Sequence, residues 1–448
     1  MKKIVLNILL LVASMQASDS METWLEDGKV NGNLRYYYIE TQIDRPNGVD
    51  SSAHANAIGG QLGYTTGSLN GFRLGATFMT TLGFALPNVV DASNIGRDNG
   101  VRKTGSASGN IAQDGFSVIG EAFIEYKFKD LTTTYGRKVI KTPLIHAKDV
   151  RMLPSAVQGL FFDYKLNNNV KLGASYLTHF KQRTSDRYTN IIEHVLGDDT
   201  KTVTGSKSGE VIVASATYND DNIDAKLYNY YADDFMNAVY VSLGFKNKIS
   251  DNLSYKFDTQ YIGQRSIGHA DDYMSTAGSI TGGKEIDANL LAAKIGFNYK
   301  ESGLSFAFSK VFSDSDKHDS LVTPWDGTPL LTNMITSNSL FVSNYGQGLK
   351  ADSVYIGGSR GVKVAYTQKY DFTGVKGFKS SLAYLHIDNN NFAKNEDNYN
   401  AVVAYSYKKY SLALKGIWVN HASSSAADGT VSQHDKLIQY RVIGNYRF

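Results

Sequence analysis

Cationic side chains at regular positions are the residues of this chain with the clearest chemical potential. Arg35, Lys415 and Arg441 each stand in a run where polar and apolar residues alternate, and each falls on the polar side of its run. Guanidinium and ammonium groups bind carboxylates through charge-assisted hydrogen bonds. No acidic residue shares the polar side of these three runs. We therefore expect a basic row that attracts anions, with Lys294 and Lys379 as further members of the same polar face.

A second charged group lies in the segment 146–151. His146, Lys148, Asp149 and Arg151 place both signs of charge within this short segment. Two interpretations stay open. In one, Asp149 faces the basic row and sets up a transverse field that orients zwitterions. In the other, Asp149 caps loop amides and Arg151 fixes the loop in place, so that the segment is structural only.

The sequence contains no motif typical of catalysis or metal binding. It has no G-x-S-x-G, no HExxH and no phosphate-binding glycine loop, and it contains no cysteine. Its 9 histidines lack the spacing of a metal site. The sequence therefore predicts that the protein is not an enzyme and that it binds neither a cofactor nor a metal ion.

The elements that carry the basic side chains are predicted to be long β-strands. In the run Phe116–Phe128, one face carries Phe116, Val118, Ala122, Ile124, Tyr126 and Phe128, and the other carries Ser117, Glu121, Glu125 and Lys127. Leu253–Gly263 and the final run Tyr440–Phe448 alternate in the same way. Period-2 alternation produces a strand with one apolar and one polar face. Because no helical segment is available to cover these apolar faces, we expect them to meet lipid.

The connections between the runs alternate between short and long, as in outer-membrane barrels. The first long link is expected near Gln42–His54. Ala232–Phe235 is the one link that is short where the alternation predicts a long one. All six prolines fall in proposed long loops, where they break no ladder hydrogen bond. With 354–371 taken as one strand, the prediction is an all-β fold, a single antiparallel transmembrane β-barrel of about 18 strands.

The N-terminus is predicted to be a leader and a short spacer. Residues 1–17 have two lysines and then an apolar run, which is typical of a secretory signal peptide. Residues 18–29 are predicted to be a short periplasmic segment, and residues 30–448 the barrel. Loss of Lys2 and Lys3 with the leader lowers the formal charge from +3 to +1. A nearly neutral mature chain argues against nucleic acid as a partner.

One stretch resembles a known family. Tyr135–Phe162 (YGRKVIKTPLIHAKDVRMLPSAVQGLFF) is similar to the constriction-loop region of the OprD family of porins, the outer-membrane carboxylate channels. That pattern runs roughly G-x-x-x-x-x-T-P-h-x-x-x-D-x-R-h-L-P-x-x-h-x-G, where h is hydrophobic. Its positions are filled here by Thr142, Pro143, Leu144, Asp149, Arg151, Leu153, Pro154 and Gly159. Gly63–Phe84 and Tyr366–Phe378 also resemble parts of that family.

The resemblance implies an eighteen-stranded barrel, monomeric or homotrimeric, whose third extracellular loop folds inward. It also implies a ladder of basic side chains that guides carboxylate-bearing solutes. His146 and Lys148 depart from the family, which tends to have small polar residues at the loop tip, and this leaves the selectivity open.

The expected function is passive, substrate-selective diffusion of small polar solutes, such as amino acids or organic acids, across a bacterial outer membrane. The pore would be narrowed by loop 138–158. The expected partners are these solutes and outer-membrane lipid. Two alternatives stay open: a general non-selective porin, in which the lumen cations only keep the pore wet and pair with acids such as Asp163 and Asp258, and a surface adhesin or receptor on a barrel scaffold. A plugged receptor needs a folded domain before the first strand, and only about a dozen residues stand there.

Overall fold

The strands close into one barrel. The computed structural model describes residues 19–44, 48, 50–83, 115–147, 149–279, 281–335, 341–342, 349–352, 355–388, 394–426, 431–433 and 435–448. Within these ranges, 18 strands pair antiparallel with their neighbours in chain order. The first strand pairs with the last, with Leu34 opposite Tyr446, and so the sheet has no open edge. The predicted fold is confirmed.

The barrel strands are on average longer than ten residues, as tilted crossings require. They are β1 (Lys29–Asp44), β2 (Ser51–Thr65), β3 (Phe72–Gly83), β4 (Phe116–Phe128), β5 (Leu131–Lys138), β6 (Ala156–Lys165), β7 (Val170–Lys181), β9 (Val211–Asn219), β10 (Ile223–Ala232), β11 (Met236–Ser250), β12 (Leu253–Ser266), β13 (Asp287–Tyr299), β14 (Ser302–Val311), β17 (Arg360–Lys369), β18 (Phe378–Asp388), β19 (Glu396–Tyr407), β20 (Tyr410–Asn420) and β23 (Lys436–Arg447).

Smaller elements lie before β1 and in the connections between the barrel strands. The two-residue strand β8 (Thr189–Asn190) extends the edge of β7. A separate four-stranded sheet is built from β15 (Phe341–Val342), β16 (Leu349–Asp352), β21 (Ser423–Ala426) and β22 (Val431–Gln433). The helices are α1 (Asp19–Glu26), α2 (Glu193–Leu196), α3 (Thr200–Thr204) and α4 (His269–Met274). None of the helices in the described ranges has both the length and the apolar character to cross a bilayer.

Side-chain burial follows the alternation of the sequence. Along β1, Leu34 and Tyr36 are exposed on the outer face, whereas Arg35 and Tyr37 are buried on the inner face. Exposed apolar side chains thus cover the outer face, while Arg35 and the other residues of its face point into the lumen. This inside-out arrangement fits a barrel that is surrounded by lipid.

The predicted faces of β4 are wrong at its start. Phe116 is 6% exposed and lies in an inner cluster with Tyr37 and Met79, with Val118 packed against it, while Ile119 faces outward. The cause is a β-bulge: Thr77 is opposite Glu121 and the next residue, Phe78, is opposite Ile119. One extra residue in β4 reverses the alternation before it.

The connections confirm the predicted asymmetry, with one shorter loop. The two strands that flank the first loop end at Asp44 and begin at Ser51, so this loop is shorter than the predicted Gln42–His54. The exception at Ala232–Phe235 is a tight link between β10 and β11. Segment 354–371 contributes one barrel strand, Arg360–Lys369, as predicted.

Three long connections fold into the lumen: the third loop (139–155), the fourth loop (182–210) and the described part of the seventh loop (312–335 and 355–359). Leu144, Val195 and Trp325, one from each loop, are buried in a single apolar cluster with the inner faces of β9 to β14. These loops narrow the lumen from one side. The inward-folded third loop is therefore confirmed.

Glutamine side chains on the barrel wall hold the seventh loop in place. Gln264 donates to the Val322 carbonyl oxygen and accepts from the Val322 amide, both at 2.7 Å. Gln260, four residues earlier on the same face of β12, donates to the Pro329 carbonyl oxygen at 2.8 Å. Because both amides are almost fully buried, their bonds to loop backbone replace lost hydration. The loop is thereby fixed inside the barrel and not above it.

Candidate solute passage

The basic row predicted from the sequence lies where the barrel closes. Lys415 on β20 is directly opposite Arg441 on β23, and Arg441 is opposite Ile39 on β1. Arg35 stands opposite Asn445, four residues along β23 from Arg441, or ~13 Å at ~3.3 Å per residue. Lys415 is close enough to interact with the charges of both arginines. The three cations thus share one stretch of wall.

Asp149 of the third loop reaches this wall. Its Oδ1 is 2.7 Å from Nη2 of Arg35. Arg35 is 6% exposed, whereas the Asp149 side chain is 75% exposed. The neighbouring Tyr37 donates its hydroxyl to the Val150 carbonyl oxygen at 2.9 Å, which fixes the loop backbone beside the ion pair. The acid that partly balances the basic row therefore comes from the loop and not from the strands.

The two arginines keep unused hydrogen-bonding capacity. Nη1 of Arg35 donates to the Asn445 side chain at 3.0 Å, and Nε of Arg441 donates to the Gln439 side chain at 2.7 Å. Nη2 of Arg35 and Nη1 of Arg441 are buried, and neither has an aligned hydrogen-bond acceptor among the described residues. The contact of Arg35 with Asp149 is thus an ion pair without good hydrogen-bond geometry. Buried donors without acceptors are costly, so these groups favour an additional acceptor.

The other predicted site residues lie elsewhere. Lys294 on β13 is opposite Asp258 of the neighbouring strand, and four barrel strands separate β13 from β20. Lys379 is exposed near the short-turn end of β18, opposite Lys369. His146 donates its amide to the Trp325 carbonyl oxygen at 3.2 Å and so joins the third loop to the seventh.

The two remaining predicted loop residues are Arg151 and Lys148. Nη1 of Arg151 donates to the Val150 carbonyl oxygen at 2.7 Å. Lys148 lies outside the described residues. Of the nine predicted residues, the structure therefore brings four together: Arg35, Lys415, Arg441 and Asp149.

A second arginine–aspartate pair was not found from the sequence. Arg183 of the fourth loop forms an ion pair with Asp326 of the seventh loop, with 21% and 11% of the two side chains exposed. Beside them, Trp325 donates its indole N–H to the Ile191 carbonyl oxygen at 3.2 Å. Lys181, at the end of β7, is fully buried and donates to the Pro154 carbonyl oxygen at 2.9 Å. These contacts bind the three inward loops to one another.

Two buried histidines of the loops, His194 and His318, are held in the neutral form. Burial lowers the pKa of His194, in α2, to about 4. Its ring centroid is 4.5 Å from that of Phe180, and Asp326 and Arg183 are its nearby charges. Burial also lowers the pKa of His318, in the seventh loop, to about 4. Neither ring carries charge near pH 7, so these two side chains pack in the loops as neutral groups.

The passage is characterised by its charged groups. The described residues include no group of three or more histidines and acids that could hold a metal ion. What the passage offers is two buried guanidinium groups, an ammonium group and one exposed carboxylate. Such a wall lowers the free energy of an anion in a narrow lumen.

Comparison with known proteins supports the same class. Residues 22–448 match the family model described as outer membrane porin, OprD family. No curated protein matches the chain by sequence.

The chain is also similar in structure to solved porins. It resembles Pseudomonas aeruginosa OccK9 (OpdG), with 18% identity, a TM-score of 0.73, and coverage of 95% of this chain and 99% of that one. It also resembles Acinetobacter baumannii OccAB3, with 16% identity, a TM-score of 0.71 and coverage of 95% and 100%. Pseudomonas aeruginosa OpdK with vanillate gives 17% identity, a TM-score of 0.69 and coverage of 95% and 99%. Because the family match spans the whole barrel and the fold is a closed sheet of eighteen strands, the chain belongs to the OprD family of outer-membrane porins.

Proposed function

We propose that this porin conducts small carboxylate-bearing solutes selectively, by passive diffusion past the basic row. The observation that carries the proposal is the state of Arg35 and Arg441. Both are buried in the wall, and both have an N–H group without an aligned acceptor. A carboxylate presents two acceptor oxygens and matches the planar guanidinium group. The basic row is therefore suited to solutes that carry a carboxylate.

The Asp149 carboxylate stands in the position that a solute carboxylate would take. It contacts Arg35 at 2.7 Å while its own side chain is mostly exposed. Because most of the Asp149 side chain is in water, its carboxylate stays hydrated when it leaves Arg35, and the contact can exchange. A passing carboxylate thus competes with Asp149 for Arg35 and is then handed toward Lys415 and Arg441. This competition keeps the solute from binding too tightly to leave, as conduction requires.

The likeness to OpdK gives supporting context. That protein was solved with vanillate, which is an aromatic carboxylate. The alternative of a non-selective porin is less well supported, because the loops that fill one side of the lumen leave the solute next to the charged wall.

We also propose that residues 1–17 are a signal peptide and that 18–29, which include α1, lie in the periplasm. The Gly67 amide donates to the Trp24 carbonyl oxygen at 2.8 Å, which ties α1 to the first short turn.

Substitution of the three cations tests the proposal. In R35Q/K415Q/R441Q we expect the ratio of anion to cation permeability to fall about tenfold or more, because each cation contributes around 1 kcal/mol in a narrow lumen. The measurement is the reversal potential across a planar bilayer with a salt gradient, followed by inhibition of the current with acetate or benzoate.

A matched variant controls for the change in total charge. K127Q/K171Q/K246Q removes three lysines that are exposed on the polar face near the short-turn end. It is expected to change the ratio by less than twofold. An equal change in both variants, or an unchanged ratio in the first, contradicts selection by the basic row.

A further inference from the structure

The eight short turns of the barrel differ in charge, and one of them is cationic without an acid. Two turns are uncharged (66–71 and 166–169), two are acidic (220–222 and 251–252), and three combine a lysine with an acid (129–130, 300–301 and 370–377). The eighth turn consists of Lys408 and Lys409. Both side chains are exposed, and neither forms an ion pair with any residue of the described ranges. A cationic patch therefore marks one point of the periplasmic rim.

An apolar cleft opens on the outer face next to this turn. Its volume is about 400 Å³, within the usual range for small-molecule sites. Gly444 forms its floor, because this residue lies opposite both Tyr36 and Leu412 and has no side chain to fill the space between them. Tyr410 and Tyr446, whose ring centroids are 4.8 Å apart, stand at the end nearest the turn. Leu34 and Tyr405 complete the apolar lining.

The distance between the cations and the cleft matches the distance between the headgroup and the acyl chains of a lipid. Lys409 precedes Leu412 by three residues, or ~10 Å of strand at ~3.3 Å per residue. The Arg447 amide donates to the Lys409 carbonyl oxygen at 2.8 Å, which brings a third cation to the same rim. Nζ of Lys408 lies 5.3 Å from the ring centroid of the outward-facing Tyr407. Lys408, Lys409 and Arg447 together give this part of the rim a positive charge.

We propose that this cleft binds one anionic glycerophospholipid of the inner leaflet, such as phosphatidylglycerol. The acyl chains lie over Gly444 between the tyrosine rings, and the phosphate meets Lys408 and Lys409. Aromatic rings at this level normally mark the membrane interface, and basic residues beside a membrane attract anionic headgroups. The charge of the rim selects the headgroup, and the shape of the cleft retains the chains. The site lies on the outside of the barrel and is independent of the pathway proposed for solutes.

Native mass spectrometry of the mature barrel tests this proposal. The protein, released from detergent after exchange with equimolar phosphatidylglycerol and phosphatidylethanolamine of the same chain composition, is expected to retain mainly the anionic lipid. In K408Q/K409Q we expect that preference to fall about tenfold or more, because each lysine contributes about fivefold. The control is K129Q/K300Q, which removes two lysines from turns of the same backbone type and leaves the preference unchanged.

A second variant tests the cleft by itself. A Cβ on Gly444 meets Tyr36 only at an ordinary contact distance of 3.8 Å, so G444L is expected to fold and to fill the cleft. It should reduce retention of both lipids while the conductance stays as in the unmodified protein. Equal retention of the two lipids by the unmodified protein, equal losses in the two lysine variants, or full retention by G444L overturns the proposal. So does a lipid-free dimer, which would mean that a second copy covers the cleft.

Discussion

Two arginine–aspartate pairs that connect separate segments inside the barrel have the same chemistry and different surroundings. Arg35 and Asp149 join the barrel wall to the third loop, and the aspartate is 75% exposed. Arg183 and Asp326 join the fourth and seventh loops, and the aspartate is 11% exposed. The first pair faces the passage, and the second lies within the packed loops. We infer that exposure, and not residue type, separates a pair that meets solutes from one that holds the fold.

The surroundings explain why each pair suits its place. Asp326 lies beside Trp325, which is fully buried in the apolar cluster of the inward loops. If one charge of the pair loses its partner there, water cannot take the partner's place without opening the cluster. Asp149 has water on most of its surface, so its carboxylate stays hydrated when it releases Arg35, and Arg35 is then open to another acceptor. The same side chains are therefore structural in one place and exchangeable in the other.

The largest effect is expected from the buried pair. In D326N the Arg183 charge loses its partner, and removal of one member of a buried pair costs about 3 kcal/mol or more. Residues 321–334 should then exchange amide hydrogens about 100-fold faster, as measured by hydrogen exchange with mass spectrometry. The single-channel conductance should rise or fluctuate, because the seventh loop no longer occupies the lumen stably.

The control for this prediction is D316N. Asp316 is an exposed aspartate of the same loop, where its Oδ1 accepts from Ser315. Its loss removes the same charge at little expected cost. If D326N and D316N exchange at the same rate, the buried pair does not hold the loop.

A second test uses pH to disturb the same loop region. The His194 pKa, about 4, is below the unfolded value of 6.5, so the folded loop binds fewer protons than the unfolded one. The contribution of His194 to stability is complete above pH 6.5. As the pH falls toward 4 this contribution is lost, and the total loss is about 3 kcal/mol. We expect channel fluctuations to increase between pH 6.5 and 4. In H194Q, with a side chain that does not titrate, this increase should be smaller.

Histidine at another position provides the comparison. His421, near the mouth, donates its Nδ1–H to the Asn395 carbonyl oxygen at 3.0 Å and is half-buried there. H421Q is expected to keep the pH dependence of the unmodified protein. Should H194Q keep it as well, the response belongs to other groups, among which Asp326 is the nearest acid.

Of the Arg35–Asp149 pair, the position of Arg35 could be predicted from the sequence. The Arg183–Asp326 pair could not be predicted. Arg35 was placed correctly because strand alternation determines which face a residue occupies, and closure of the barrel brings its strand beside that of Arg441. Arg183 and Asp326 stand in irregular loops, where no period relates positions 143 residues apart. The inner position of Phe116 was missed for a related reason, since one bulge residue shifts the alternation without a clear sign in the sequence.

The smallest effect, and the one that bears most directly on selectivity, is expected from D149N. Loss of the carboxylate removes the competitor for Arg35 and raises the net charge of the passage, so the ratio of anion to cation permeability should rise about fivefold, or about 1 kcal/mol. Carboxylate solutes should also stay longer, which single-channel recordings with benzoate would show as longer blocking events. D130N, in a short turn far from the passage along the strand, removes the same charge and should change neither quantity. If D149N instead leaves both quantities as they are, Asp149 only fixes the loop, and the two arginine–aspartate pairs serve the same structural purpose.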